Sequence, residues 1–339
     1  MPGHVSSARR EGIPPRWEVA SDRPLTVAET LTWLEGACPA IHEEVLANGC
    51  LLITGLHAIT TAQEFGLVAE RLTPALRDYV GGSSPRSVVH GRIMTATNTP
   101  PTWSIILHQE MAYTRTPPDL ISFFCARPAR EGGQSTLGDM RLVLSRLDAG
   151  VRERFERGGG VQLRRTLPSP ETITLKPGVQ KPWTEVFATL DRHRVDAIAD
   201  ANGWRTEWLD ENVLQLWQDV VPMARTHAIS AELIWSNQAH FWSPPSMLRW
   251  AETDGRYEDC RAIEHALEHH PEMLDRVCFG TGEPIPDSDA MHVYDILRSL
   301  EVDVLLERSD LLIVDNLMFS HGRRAFAGDR DVFVAIADR

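Results

Sequence analysis

His108, Gln109 and Glu110 close the apolar run Trp103-Ser104-Ile105-Ile106-Leu107. On a β-strand, side chains two apart share a face, so this spacing sets an imidazole beside a carboxylate and turns Gln109 away. Those are two thirds of a 2-His-1-carboxylate site, the donor set that holds non-haem Fe(II) and leaves positions open for a co-substrate and O₂. Two other His-x-Glu triplets occur. His42/Glu44 falls in a segment (30–48) of helical apolar spacing, where such residues diverge by roughly 200° around the axis. His270/Glu272 straddles Pro271 just after the helical stretch 257–269 and reads as a solvated helix end. Only His108/Glu110 has a strand in front of it.

A third donor has to come from far along the chain. Residues 311–314 (Leu-Leu-Ile-Val) read as a buried strand, followed by a turn at Asp315-Asn316, a short second strand ending at His321, and a third strand at Phe333 to Ile336. Arg330 enters that last strand. A distal histidine followed by such an arginine suits an oxo-acid site, because a guanidinium can grip the far carboxylate of 2-oxoglutarate in a fork while the keto-acid end chelates iron. His240, in Trp235-Ser236-Asn237-Gln238-Ala239-His240, is the rival ligand, but no carboxylate stands two residues beyond it.

These motifs, taken in order, resemble the TauD/TfdA family of Fe(II)/2-oxoglutarate-dependent dioxygenases. The likeness is strongest to the SyrP-like, clavaminate synthase-like branch that contains amino-acid hydroxylases of peptide-antibiotic pathways. Besides the segments above, it rests on Gly49-Cys50-Leu51-Leu52-Ile53-Thr54-Gly55-Leu56, on Gly-Gly-Ser-Ser-Pro-Arg at 81–86, and on Gly132-Gly133-Gln134-Ser135. Together they span about residues 45–339. The resemblance implies that His108, Glu110 and His321 ligate iron, and that Arg330 binds the C5 carboxylate of 2-oxoglutarate. Ser135, with Thr136 as the adjacent candidate, would support that carboxylate. Arg86 and Asn98 lie on segments that face substrate in such enzymes, or else on solvated loops. Asn237 and His240 either line the pocket or form a satisfied part of the core. Three departures stand out: Ser309 occupies a turn position usually held by Gly, the loop between His321 and Arg330 is short, as in SyrP-like members, and Val334 stands where a second arginine is usual.

By the same resemblance the co-substrates are 2-oxoglutarate and O₂. The primary substrate is an amino acid or amino-acid-derived small molecule, free or tethered to a carrier protein, and the reaction hydroxylates an unactivated C–H. Desaturation, epoxidation and cyclisation use the same ligands and remain alternatives, with a non-catalytic binding module more distant. Halogenation requires the carboxylate position for chloride, and Glu110 fills it.

The elements that must position these residues follow from periodicity. Helices are expected at 26–48, 62–76, 139–157, 189–202, 244–251, 257–269 and 289–300. Strands are expected at 50–54, 103–109, 119–126, 160–166, 205–217, 231–236, 310–315 and 331–337. A mainly β chain with flanking helices and a double-stranded β-helix (jelly-roll, cupin-type) core fits this pattern. Residues 25–339 read as one domain, since the distal motif must meet the proximal one. Residues 1–24 read as a loosely ordered arm, and the Pro-rich stretch 167–188 as a lid over the site mouth.

Composition narrows the classes. Thirty-four Lys and Arg against 47 Asp and Glu give a net charge of −13, which argues against nucleic acid as a partner. No stretch approaches a membrane span or a signal-peptide core. Five cysteines without CxxC spacing read as free thiols in a reducing cytoplasm.

Overall fold

Threonine caps set the N-terminal helical layer. Thr26 opens the helix Val27–Asn48 and Thr61 opens Ala62–Leu72. In both, the threonine hydroxyl accepts from the N3 backbone N–H while the N3 glutamate (Glu29, Glu64) reaches back to the cap. Gly49, at φ 79°, ends the first helix in the left-handed conformation and turns the chain into the strand Cys50–Thr54. The computed structural model describes residues 3–7, 14–79, 82, 86–172, 181–209 and 212–339.

The largest sheet runs Gly3–Ser7, Arg16–Ala20, Cys50–Thr54, Leu311–Asp315, Leu120–Arg127, Asp331–Ala337, Ile93–Thr95, Val88–His90. All its pairings are antiparallel except that between Arg16–Ala20 and Cys50–Thr54. Its central strands, Cys50–Thr54, Leu311–Asp315, Leu120–Arg127 and Asp331–Ala337, are largely buried on both faces, and their side chains alternate between two apolar clusters. Leu51, Ile53, Leu311, Ile313 and Phe124 pack with Leu34, Ile41, Phe65 and Val68 of the two capped helices. Leu52, Leu312, Val314, Phe123 and Val334 point the other way, into the cluster that also holds Leu107 and Leu137.

A smaller sheet runs Val302–Val304, Ser135–Asp139, Phe319–Arg323, Ile105–His108. A third, Arg205–Trp208, Leu214–Val221, Val161–Leu167, Arg276–Phe279, flanks the core. The chain is mainly β with flanking helices, and among the described residues no helix is long and apolar enough to cross a membrane.

Several elements differ from the sequence expectations. The single strand expected over 205–217 is a hairpin, Arg205–Trp208 against Leu214–Val221, with Asn212 at φ 64° between its arms. The helix expected over 139–157 is broken into Met140–Leu142, Val143–Arg146 and Ala149–Arg157, because Leu147 is extended. Asp139 caps its first turn and pairs with Arg141 at 2.6 Å. The arm expected over 1–24 is tied down where it is described: Arg16–Ala20 joins the large sheet and buries Trp17. In the expected lid, residues 173–180 lie outside the described residues, while Trp183–Val186 is a short helix with Trp183 buried. Ser309 has φ 71°, which explains why glycine suits that turn.

Candidate metal centre

His108 and His321 face each other in register across the antiparallel strands Ile105–His108 and Phe319–Arg323, with ring centroids 4.5 Å apart. His321 lies at the middle of its strand, not at the end as the sequence suggested. Glu110 joins them by a different route from the expected one. The strand stops at His108, and the chain turns through Gln109 and Glu110 to Met111 at φ 52°. Strand alternation therefore does not place Glu110; the turn does. One ligand atom from each of His108, Glu110 and His321 lies within 4.8 Å of the others, and all three residues are buried. His321 Nε2 is 3.7 Å from Glu110 Oε2.

Asn316 holds that turn. Its side-chain carbonyl accepts from the Glu110 N–H at 2.7 Å, and its amide donates to the Glu110 and Pro118 carbonyls at 2.9 and 2.8 Å. Gln109, in the same turn, donates to the Trp235 and Leu317 carbonyls. Asp315 braces the crossing from the large sheet to the small one: its carboxylate accepts from the Leu317 and Met318 N–H groups and pairs with His227 and Arg339. Sequence reasoning read Asp315-Asn316 only as a turn. An Asx pair between two strands was the available signal, but the partners of Asn316 stand some 200 residues away.

The donor chemistry fits a divalent cation. Burial drives His108 towards its neutral, metal-binding form, and the neighbouring His321 adds to this, so its pKa falls to about 3. His108 Nδ1 lies 3.0 Å from the Ile106 carbonyl, which favours a proton there and a lone pair on Nε2. Burial alone would raise the Glu110 carboxyl. The Arg86 guanidinium and the two imidazoles outweigh it and hold the group well below the usual carboxylate range. Both ring nitrogens of His321 are buried without a hydrogen-bond partner among the described residues, a costly state that a metal would relieve. Phe241 and Phe123 pack beside the two imidazoles.

A cavity opens beside the donors, and its walls include Arg86, His108, Phe123, Ser135, His321, Arg323 and Arg330. Burial lowers the pKa of both Arg323, to about 10, and Arg330, and Arg330 further lowers that of Arg323. Neither has an ion-pair partner among the described residues. Arg323 instead donates to the carbonyls of Thr99, Pro100 and Trp103. Two unpaired guanidiniums in a buried cavity attract an anion.

The remaining expected residues divide. Ser135 lines the cavity, whereas Thr136, next on the strand, does not: its hydroxyl sits where a Cβ on Gly322 would come within 2.6 Å. Arg86 lines the cavity and pairs with Glu110 at 2.5 Å. Asn98 is exposed and bonded to Ser87 and Thr95, away from the site. Asn237 spends its amide on the Met223 carbonyl and the Ala239 N–H. His240 is buried against the Leu107 carbonyl at 2.7 Å. Neither Asn237 nor His240 lines the cavity, and both serve the core behind it. The other His-x-Glu pairs do no such work: His42 bonds the Leu72 carbonyl, and His270 Nδ1 lies 3.8 Å from a Glu272 oxygen at the exposed surface.

Comparison with known proteins places this geometry. Residues 11–336 match the model of the taurine catabolism dioxygenase TauD, TfdA family. The chain is 29% identical over 299 residues to the dapdiamide synthesis protein DdaC of Enterobacter agglomerans, covering 88% of this chain and 84% of that one. It is also 29% identical over 301 residues to a clavaminate synthase-like protein of Arabidopsis thaliana, covering 87% and 82%. Among solved structures, the PvcB protein of Pseudomonas aeruginosa shares the fold with a TM-score of 0.50 at 15% identity, over 99% of this chain and 91% of that one. AAD-2, crystallised with Mn(II) and N-oxalylglycine, does so with a TM-score of 0.50 at 10% identity, over 99% and 97%.

Proposed function

We propose, from the premise that this chain belongs to the TauD, TfdA family of dioxygenases, that it hydroxylates an unactivated C–H of an amino acid or amino-acid-derived small molecule. It is an Fe(II)/2-oxoglutarate-dependent oxidoreductase. The observation that carries the finer reading is the meeting of three buried donors, His108, Glu110 and His321, with a cavity lined by unpaired Arg323 and Arg330. The naming of one relative for dapdiamide synthesis and of another for its likeness to clavaminate synthase supports an amino-acid-related substrate in specialised metabolism.

In this reading His108, Glu110 and His321 hold the iron. Iron and 2-oxoglutarate, when bound, supply the oxidising power: O₂ is consumed, 2-oxoglutarate leaves as succinate and CO₂, and one oxygen atom enters the substrate. The chain's own residues bind, orient and exclude. Arg330 grips the C5 carboxylate of 2-oxoglutarate, and Ser135 donates to it from the small sheet opposite. Arg323, fixed by three backbone carbonyls, adds positive potential without moving. Phe123 and Phe241 keep bulk water from the imidazoles. Glu110 fills the coordination position that chloride would need, which favours hydroxylation over halogenation.

The fold supports this arrangement as a jelly-roll core. Successive strands alternate between the two main sheets: Ile105–His108 in the small, Leu120–Arg127 in the large, Ser135–Asp139 in the small, then Leu311–Asp315, Phe319–Arg323 and Asp331–Ala337 in turn. Residues 25–339 then act as one domain; of the expected lid over 167–188, residues 173–180 lie outside the described residues. A cytoplasmic setting belongs to the same proposal and is supported by five cysteines that form no disulfide with one another.

The deciding experiment incubates the Fe(II)-loaded protein with 2-oxoglutarate, ¹⁸O₂ and a panel of amino acids and their derivatives, free and carrier-bound. Mass spectrometry should find one product gaining a single labelled oxygen, with matching succinate release. A chlorinated product would overturn the assignment, and loss of two hydrogens would select desaturation.

A further inference from the structure

The cavity beside the three donors carries more positive charge than its co-substrate neutralises. Arg86, Arg323 and Arg330 line it, and the one ion pair any of them makes among the described residues is Arg86 with Glu110. Three guanidiniums and a divalent metal exceed Glu110 and a doubly charged 2-oxoglutarate by two charges. Excess charge of this kind in a desolvated site draws in a further anion.

Of the three arginines, Arg86 has donors to spare. Arg323 gives its terminal nitrogens to three carbonyls, and Arg330 is assigned above to the co-substrate. The Arg86 side chain is only 4% exposed. One terminal nitrogen, Nη2, rests on Glu110 Oε2, and the guanidinium lies over the Tyr79 ring at 4.7 Å. Its Nε and Nη1 are buried and have no hydrogen-bond partner among the described residues. Leaving charged N–H groups buried without acceptors is expensive, so the geometry calls for an acceptor that the described residues do not supply. A guanidinium fixed by a carboxylate on one nitrogen and an aromatic face below it is already oriented, which lowers the cost of binding a planar oxyanion.

We propose that Arg86 anchors a free carboxylate of the primary substrate, a specificity that rests on the oxygenase reading above and narrows it. A substrate entering this cavity carries its acid unmasked. An amino acid held as a thioester on a carrier would qualify only through a second carboxylate on its side chain. The contact with Glu110 sets the anchor beside the metal ligands, so that the bound acid's neighbouring carbons lie near the reacting centre.

The test needs no knowledge of the substrate. The protein is loaded with Mn(II) and N-oxalylglycine, and acetate or acetamide is added as probe while paramagnetic broadening of the methyl protons is recorded. Acetate should be broadened at least about tenfold more than acetamide, as a charged hydrogen bond in a buried site implies. Arg86→Gln should reduce the difference to about twofold or less, and Arg86→Lys should retain most of it. Equal broadening in the wild type overturns the proposal, as does an undiminished acetate preference in Arg86→Gln. Mn(II) content is read by electron paramagnetic resonance in each sample. If Arg86→Gln fails to hold metal, the wild-type contrast and Arg86→Lys decide. Broadening of N-oxalylglycine itself reports on the co-substrate reading, so its failure is visible separately from that of the acetate arm.

Discussion

Asn316 brackets the peptide of Glu110, accepting from its N–H at 2.7 Å and donating to its carbonyl at 2.9 Å across 206 residues of sequence. A side-chain amide here replaces the β-ladder that ended at His108, and it supplies the rigidity that a turn would otherwise lack. The carboxylate of the site is therefore positioned from the distal strand pair, the same unit that carries His321.

Removing the clamp should loosen the site without removing a ligand. Asn316→Ala leaves the Glu110 N–H and two carbonyls buried without partners, which costs roughly 1–3 kcal/mol of stability. Mn(II) affinity should fall about 10- to 100-fold, as for groups that orient metal ligands. Urea unfolding and a metal titration followed by electron paramagnetic resonance measure the two effects. Wild-type affinity in the variant would show that Glu110 is placed by its turn alone.

Each proposed ligand should be required for metal. In His108→Ala, Glu110→Ala and His321→Ala, bound Fe(II) or Mn(II) should drop to background, while circular dichroism and cooperative melting persist. A variant that retains a full metal equivalent removes that residue from the ligand set.

Arg330→Ala should raise the 2-oxoglutarate requirement steeply and change the demand for primary substrate much less. Loss of a charged contact in a buried site is worth on the order of 2–5 kcal/mol. Arg323→Ala is the control, because that guanidinium is already occupied by backbone carbonyls. If Arg323→Ala gives the larger rise in KM for 2-oxoglutarate, the two roles are exchanged.

His240 should make the metal-stripped protein sensitive to acid. Burial lowers its pKa from 6.5 to about 4, partly offset by the Leu107 carbonyl. A histidine kept neutral in the fold contributes stability that is complete above about 6.5 and is lost as pH falls towards 4. The loss amounts to roughly 3 kcal/mol. His240→Gln, which retains a donor for the Leu107 carbonyl, should flatten that part of the stability–pH curve. An unchanged slope in chelator-treated protein would place the acid sensitivity elsewhere.

Much of this molecule is determined locally. Thr26 with Glu29 and Thr61 with Glu64 start two helices within four residues, and such short-range chemistry is readable without tertiary context. Continuous apolar runs marked Cys50–Thr54, Leu311–Asp315 and Asp331–Ala337 as buried strands, and His108 and Arg330 were legible from their places at strand ends. What tertiary structure decided is everything that depends on partners distant in sequence. The register that sets His321 opposite His108, the Asn316 hold on Glu110 and the Arg86 contact with Glu110 have no local signature. The same is true of the choice between Ser135 and Thr136, and of the withdrawal of Asn98, Asn237 and His240 from the cavity. Hydrogen bonds and ion pairs of this range are selected only when sheet packing brings the groups together, and burial then makes an unmatched partner too costly to keep.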